Sequence, residues 1–375
     1  SVKPDDEIVC FTISKTVTKK LKEEYVKIKI EFFEINLIKR FFLFLFTLNF
    51  TKKIFSKIKL LNPLEKILRK EAIDLLFFIS PSSFVRFCEI INFVYNIWEV
   101  QHKSIPYFPE YSDKKYSPSS YDIREESYGL AAKRAFKIVV DSERSAQDIK
   151  KYYNCSRENL FEIQAFVPGL PKFFEEKKKE NNFKKIFDDL GLPKKKILFY
   201  PAQFWPHKNH IYLIESLKDM EIKGIDNFAM VFTGHDKGNK QYIIDSIKKN
   251  NLDKKIVVLE FLKLEEIVAL YKNSHALVMP TLIGRSSLPL REAFYFELPV
   301  FYTKDILDEK SYFVNEINLN DTSNLSEYLK NDKFFNKEKI KLAKKFYLET
   351  CSDEIIIQSN KTIIQEYEKN SKYWQ

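Results

Sequence analysis

Two α/β units, each built on a parallel doubly wound sheet, are what this sequence predicts, and three observations carry the prediction. The chain has 375 residues, and at roughly 100–200 residues per domain that length makes two domains. Short apolar runs alternate with stretches of helical spacing, the pattern of strands joined by crossover helices. A turn-rich segment, VPGLP at residues 167–171, divides this alternation into halves.

In the first half, strands are expected at residues 7–13, 26–32, 72–79, 96–100 and 137–140, with a short closing run at 162–166. The run AIDLLFFI is nearly continuous in apolar residues and is followed by SPSS, as for a buried parallel strand ending in a loop. Residues 106–121 are rich in Pro, Tyr and Ser and read as a loop, 124–136 as a helix, and Asp141–Ser142 as the cap of a helix reaching Tyr153. No glycine precedes Gly129. A nucleotide-type α/β domain opens on a strand and a tight glycine turn, so this domain is expected to lack its opening unit or to carry a degenerate one.

In the second half, residues 173–189 read as helical, and a regular series begins at Lys196. Strands are expected at 197–201, 229–234, 256–261, 276–280 and 299–302, with helices at 211–218, 240–250, 264–272 and 290–296 between them. Residues 336–375 read as two helices. The expected division is 1–168, 169–345, and a terminal helix, 346–375, that packs back on the first domain.

Composition narrows the function. Hydrophobic residues make up 45% and charged residues 30%, as in a folded globular chain. The net charge of +10 is dispersed lysine without an arginine patch or an aromatic RNA-binding motif, so no nucleic acid partner is expected. A solvated lysine surface fits, as does weak attraction to an anionic membrane or to phosphorylated ligands. The four cysteines, Cys10, Cys88, Cys155 and Cys351, have neither zinc-site spacing nor the density of a disulfide scaffold. A reducing cytoplasm suits them, and no signal peptide is recognisable. The run FFLFLFTLNF, residues 41–50, is about half of the ~20 residues that span a bilayer. With Arg40, Lys52 and Lys53 around it, it reads either as a buried helix or as an amphipathic surface that touches a membrane.

Ligands of doubly wound sheets bind beyond the carboxyl ends of the strands. The loop FYPAQFWPHKNH, 199–210, carries Gln203 and Lys208 just before a helix, where a lysine and a helix N-terminus can hold a phosphate. An ordinary loop with Asn209 as the helix cap is the alternative. In TLIGRSSLPLRE, 281–292, the amides of Gly284, Arg285, Ser286, Ser287 and Leu288 can cradle a diphosphate, Arg285 can pair with its oxygens, and Glu292 can accept ribose hydroxyls. Gly234 and His235, in GHDKG, can border the same pocket or form a simple turn. In the first half, WEVQH places Glu99 and His102 at a strand end, where either can assist proton transfer.

These residues resemble the group 1 (family 4) glycosyltransferases over about 96–329. FYPAQFWPHKNH resembles the loop that holds the donor diphosphate there; Lys208 matches its lysine, and Gln203 stands where an arginine is common. FLKLEEIVALYKNSHALVMPT, with Leu262, resembles the segment running past the nucleobase. Glu292 matches the second glutamate of the family's acidic motif, and Gly284 stands at the first. WEVQH resembles a D-x-x-H element, with Glu99 for the aspartate. The resemblance implies a GT-B fold: two Rossmann-like domains facing a cleft, no metal or cofactor, and a nucleotide sugar as substrate. The implied activity is retaining transfer to a glycan or lipid-linked acceptor in cell-surface polysaccharide biosynthesis, in the cytoplasm or at the inner face of the membrane. The alternative is a catalytically impaired nucleotide-sugar-binding or scaffold protein of the same fold.

Overall fold

The computed structural model describes residues 7–112, 120–163, 169–260, 262–284, 288–304, 306–307, 309–330 and 334–374. Every strand pairing among them is parallel, in three sheets. β1 (Val9–Thr12) and β2 (Lys29–Phe32) pair only with each other. β3 (Leu75–Phe78), β4 (Asn92–Asn96), β5 (Lys137–Val140) and β6 (Leu160–Glu162) form a four-stranded sheet in sequence order.

The second unit holds β7 (Lys196–Pro201), β8 (Phe228–Thr233), β9 (Ile256–Leu259), β10 (Ala276–Met279), β11 (Val300–Thr303) and β12 (Asn315–Ile317). Their order across the sheet is β12-β11-β10-β7-β8-β9. The chain lays down three strands in one direction, then returns past β7 and builds outward the other way. β7 and β10 are therefore neighbours at the reversal point, where crossover loops leave in opposite directions and open a crevice.

Helices cover both faces of this sheet, so its central strands are buried throughout. All six residues of β8, FAMVFT, are buried, which is why the segment reads as a continuous apolar run. Phe199, Tyr200, Phe232, Phe301 and Tyr302 anchor the core of this unit. The first unit has its own core around Phe93, Tyr95, Tyr128 and Ile138. The helix Lys337–Thr350 packs its Ala343 and Tyr347 into the second unit. The last helix, Asp353–Ser371, returns to the first: Ile363 packs with Val94 and Val139, the Tyr367 hydroxyl donates to the Asp74 carbonyl at 2.8 Å, and Lys137 pairs with Glu366 at 2.5 Å.

Several local expectations change. The first half is not one continuous sheet, because β1 and β2 are four residues each and pair apart from β3–β6. The strand expected at 96–100 ends at Asn96, where β4 gives way to an irregular stretch and a single 3₁₀ turn, Gln101–Lys103. The expected loop 106–121 contains a short helical turn, Pro109–Ser112, and the start of the helix Ser120–Arg134. Of the expected linker, 167–168 lie outside the described residues, while residues from 169 open the helix Gly169–Lys177, where Pro171 is tolerated in the first turn. The segment 41–50 is not a buried helix: in Leu37–Thr47 only Leu43 and Phe46 are buried.

Candidate active site

The loops leaving β7 and β10 meet at the reversal point and are tied together. The Leu282 amide donates to the His207 carbonyl at 2.8 Å, and the Thr281 hydroxyl bonds the Ile283 carbonyl. Thr303 on β11 donates to the Thr281 carbonyl at 2.7 Å, and the Tyr302 hydroxyl to the Gly284 carbonyl at 2.6 Å. The Tyr200 hydroxyl donates to the Lys208 carbonyl at 2.8 Å. Each loop is thus fixed by a side chain rising from the strand beneath it.

Lys208 ends a 3₁₀ turn, Pro206–Lys208, and Asn209 follows in the left-handed region at φ 53°. That turn of the backbone aims the helix His210–Ile222 at the crevice. Asn209 makes no side-chain capping bond, so the first amides of this helix remain open to a ligand. The Lys208 ammonium has no hydrogen bond or ion pair among the described residues. Burial lowers its pKa to about 8, against the opposing pull of Glu110 and Glu99. A half-buried cation that has no direct partner among the described residues, beside helix amides that no side chain caps, can hold an anion. His210, inside the same loop, is instead a core group: it stacks on Phe204 at 4.8 Å, and burial takes its pKa down to about 3. It stays neutral and fills space.

Gly234 borders this loop, and its backbone presses against it. A Cβ here would lie 2.4 Å from the Ala202 carbonyl oxygen and 2.8 Å from Gln203 Cα, so only glycine fits. The Phe204 amide donates to the His235 carbonyl at 3.0 Å, extending the β7–β8 pairing past the strand ends. The exposed His235 side chain stands at this edge. Gln203 is exposed and accepts from the Trp205 indole at 3.0 Å. Leu262, beyond β9, is half-buried against the core of the second unit.

Of the third loop, Gly284 is described and holds φ 106°, with open space where a side chain would be; Arg285, Ser286 and Ser287 lie outside the described residues. The helix Leu288–Tyr295 starts with exposed Leu288 and carries Glu292 into the interior. The Tyr271 hydroxyl donates to Glu292 Oε2 at 2.6 Å. Burial nevertheless outweighs that bond and raises the Glu292 pKa to about 7.

The first unit faces these loops with residues the sequence reading passed over. Gln101 Oε1 accepts from the Gly284 amide at 3.2 Å. Glu110 Oε1 accepts from the His207 amide at 2.8 Å and from His207 Nδ1 at 2.5 Å, which puts the imidazole proton on Nδ1. Glu110 stands in the short turn Pro109–Ser112 within a Pro/Tyr-rich stretch; a carboxylate in that setting was the one sequence signal.

Glu99 and His102 lie just behind this contact. Arg124 pairs with Glu99, which also accepts from the Gln101 amide at 2.6 Å. Burial would raise the Glu99 pKa, but the guanidinium and that amide bring it below the usual value. His102 is fully buried. Its Nε2 lies 2.9 Å from Glu125 and 3.1 Å from the Tyr153 hydroxyl, while Nδ1 has no hydrogen-bond partner among the described residues. Tyr111, Tyr121 and Tyr128 surround the ring at 5.5–6.0 Å. Burial lowers its pKa despite Glu125, so the imidazole is neutral. Among the described residues, no three His, Cys, Asp or Glu side chains gather as metal ligands would.

Two facing α/β units, with paired loops at the reversal point of the second sheet and a carboxyl-terminal helix returning to the first, make up the GT-B fold. Within it, residues 182–327 match the family of glycosyl transferases group 1. No curated protein matches the chain. Among solved structures it is similar to a glycosyltransferase from Rickettsia africae ESF-5, at TM-score 0.67 and 17% identity over 97% of this chain and 91% of that one. It is also similar to Anabaena Alr3699/HepE in complex with UDP, at TM-score 0.68 and 13% identity over 96% and 92%. Sucrose-phosphate synthase from Thermosynechococcus elongatus shares the fold at TM-score 0.65 and 12% identity, over 82% and 77%.

Proposed function

We propose that the protein transfers a sugar from a nucleoside-diphosphate sugar to a glycan or lipid-linked acceptor, with retention of anomeric configuration, in cell-surface polysaccharide synthesis at the cytoplasmic face of the membrane. One observation carries the donor side of this reading: the half-buried Lys208 ammonium, without a direct partner among the described residues, at an uncapped helix N-terminus on the sheet's reversal point. The bond between the anomeric carbon and the diphosphate oxygen breaks, and negative charge grows on the departing diphosphate. Lys208, the first amides of the helix His210–Ile222 and the backbone around Gly284 stabilise that charge most strongly where it is greatest, in the transition state. The reading assigns this task to protein groups and not to a metal ion or cofactor. Gln203, His235 and Leu262 border the nucleotide, and Arg285, Ser286, Ser287 and Leu288 complete the loop. Tyr271 holds Glu292 Oε2, leaving Oε1 for the ribose hydroxyls.

The acceptor oxygen forms its bond on the face the diphosphate leaves, and its proton passes to the departing phosphate oxygen. Glu99, fixed by Arg124, and His102, whose Nδ1 has no partner among the described residues, orient the sugars. Support for a nucleotide donor also comes from Alr3699/HepE, solved with UDP and with UDP-glucose. The test is a thermal-shift and calorimetric screen of UDP, GDP and ADP, since a ligand bound only by the folded state raises its melting temperature. One of them should bind, and Lys208→Ala and Glu292→Ala should each weaken it tenfold or more. Unchanged affinity in both variants overturns the assignment.

A second reading, a donor-binding scaffold without turnover, is favoured by the separate β1–β2 pair and by Gly284 in place of a carboxylate. Tight nucleotide binding with no transfer or donor hydrolysis would select it.

A further inference from the structure

Residues 35–60 form a one-sided surface. They contain six basic residues, Lys39, Arg40, Lys52, Lys53, Lys57 and Lys59, and no Asp or Glu. Two helices, Leu37–Thr47 and Asn49–Lys57, fill this segment and pack on each other through Phe46 and Phe55 at 4.7 Å. Leu43 and Phe46 point into the first unit's core. The opposite face carries Leu37, Phe41, Phe44 and Leu48, spaced i, i+4, i+7, i+11, which puts them in one stripe along the helix. This stripe is open to solvent: Leu37 is 82% exposed, Phe41 59% and Phe44 57%. The second helix continues the pattern with Phe50 at 76%, Ile54 at 42% and, at its C-cap, Ile58 at 65%. By helical spacing, Arg40 flanks the first stripe, and Lys53 and Lys57 flank the second.

Isolated exposed apolar residues need no explanation, but a contiguous aromatic stripe rimmed with cations does. Among the described residues no helix is long and apolar enough to cross a membrane. The pattern is that of a helix lying in the plane of the interface, with large apolar side chains entering the acyl boundary and basic ones meeting headgroup phosphates. The positive rim selects the occupant. A protein partner or a second copy of this chain would have to bring acidic groups to the same face, whereas an anionic bilayer offers them everywhere.

We propose that the paired helices at Leu37–Lys57 are a membrane-docking surface that binds anionic phospholipid headgroups and inserts Phe41, Phe44 and Phe50 among the acyl chains. This deepens the membrane-face reading above. It is tested without donor or acceptor, so its failure leaves the donor site standing.

The experiment is co-sedimentation of the full chain with vesicles of phosphatidylcholine alone and with about one-third phosphatidylglycerol. Binding should require the anionic lipid and weaken with salt. Phe41→Ser with Phe44→Ser should reduce binding tenfold or more; both residues are exposed, and an unchanged circular dichroism spectrum and melting temperature confirm the fold. Arg40→Gln, Lys53→Gln and Lys57→Gln together should reduce it about a hundredfold, at about fivefold per charge near an anionic surface. Failure of the parent protein to bind, or binding unaffected by both variants, overturns the proposal. So does a dimer in solution that Phe41→Ser with Phe44→Ser dissociates while vesicles are ignored, which would make a second copy the occupant.

Discussion

Glu292→Gln isolates what the buried carboxyl costs and what it is for. Glu292 is 9% exposed, held at one oxygen by Tyr271, and its pKa stands at about 7 against an ordinary 4.5. Because the folded state binds the proton more tightly than the unfolded chain, stability is full below pH 4.5 and is lost as pH rises to about 7. The rise from 4.5 to about 7, at about 1.4 kcal/mol per pH unit, amounts to about 3 kcal/mol. Glutamine keeps the shape and can still accept from the Tyr271 hydroxyl, yet never ionises. The stability of Glu292→Gln relative to the parent should therefore climb by about 3 kcal/mol between pH 4 and pH 8, then level off. Urea denaturation followed by tryptophan fluorescence at a series of pH values reads it, and infrared difference titration of the carboxyl band gives the pKa directly. A relative stability flat across this range would refute the reasoning, since Glu292 would then be titrating as a solvated carboxylate. In exchange for that stability, the variant should lose nucleotide affinity, because in the proposed donor site the ionised carboxylate accepts both ribose hydroxyls.

Nucleotide affinity should fall as pH rises above about 8, where Lys208 loses its proton in the free protein; calorimetry in buffers of different ionisation heat would show proton uptake on binding, absent in Lys208→Ala. Gly234→Ala should cost about 1–3 kcal/mol of stability, the usual penalty for overpacking, because its Cβ would meet the Ala202 carbonyl at 2.4 Å; an unchanged melting temperature would contradict that contact. Glu110→Ala removes both bonds to His207, and a larger radius of gyration by small-angle scattering, reversed by nucleotide, is the expected result.

The sheet of the second unit was legible because its strands are buried on both faces and read as unbroken apolar runs, as in FAMVFT. Its paired loops followed from one rule about strand ends. β12 was not legible: three residues at the sheet edge, NEI, carry no apolar run. β1 and β2 were found as strands, but their separation from the other sheet depends on packing that no local pattern encodes. The contacts of Gln101 and Glu110 were invisible for a related reason. Each joins residues about 100–180 positions apart, and neither glutamine nor glutamate in a loop announces a partner. The environment of His210 was equally hidden: it stands two residues from Lys208, yet three aromatic rings enclose it.

The return of the last helix gives the chain two crossings between its units. The polypeptide leaves the first unit after β6 and comes back at Ser352, where the helix Asp353–Ser371 begins. A single tether permits swivelling in every direction; two tethers share an axis and leave mainly one rotation, the opening and closing of the cleft. The Gln101–Gly284 and Glu110–His207 bonds lie across that opening. A torn or shortened carboxyl terminus would therefore not touch a single residue of the candidate site, yet it would turn a door into a loose panel, and the two halves of that site would meet far less often.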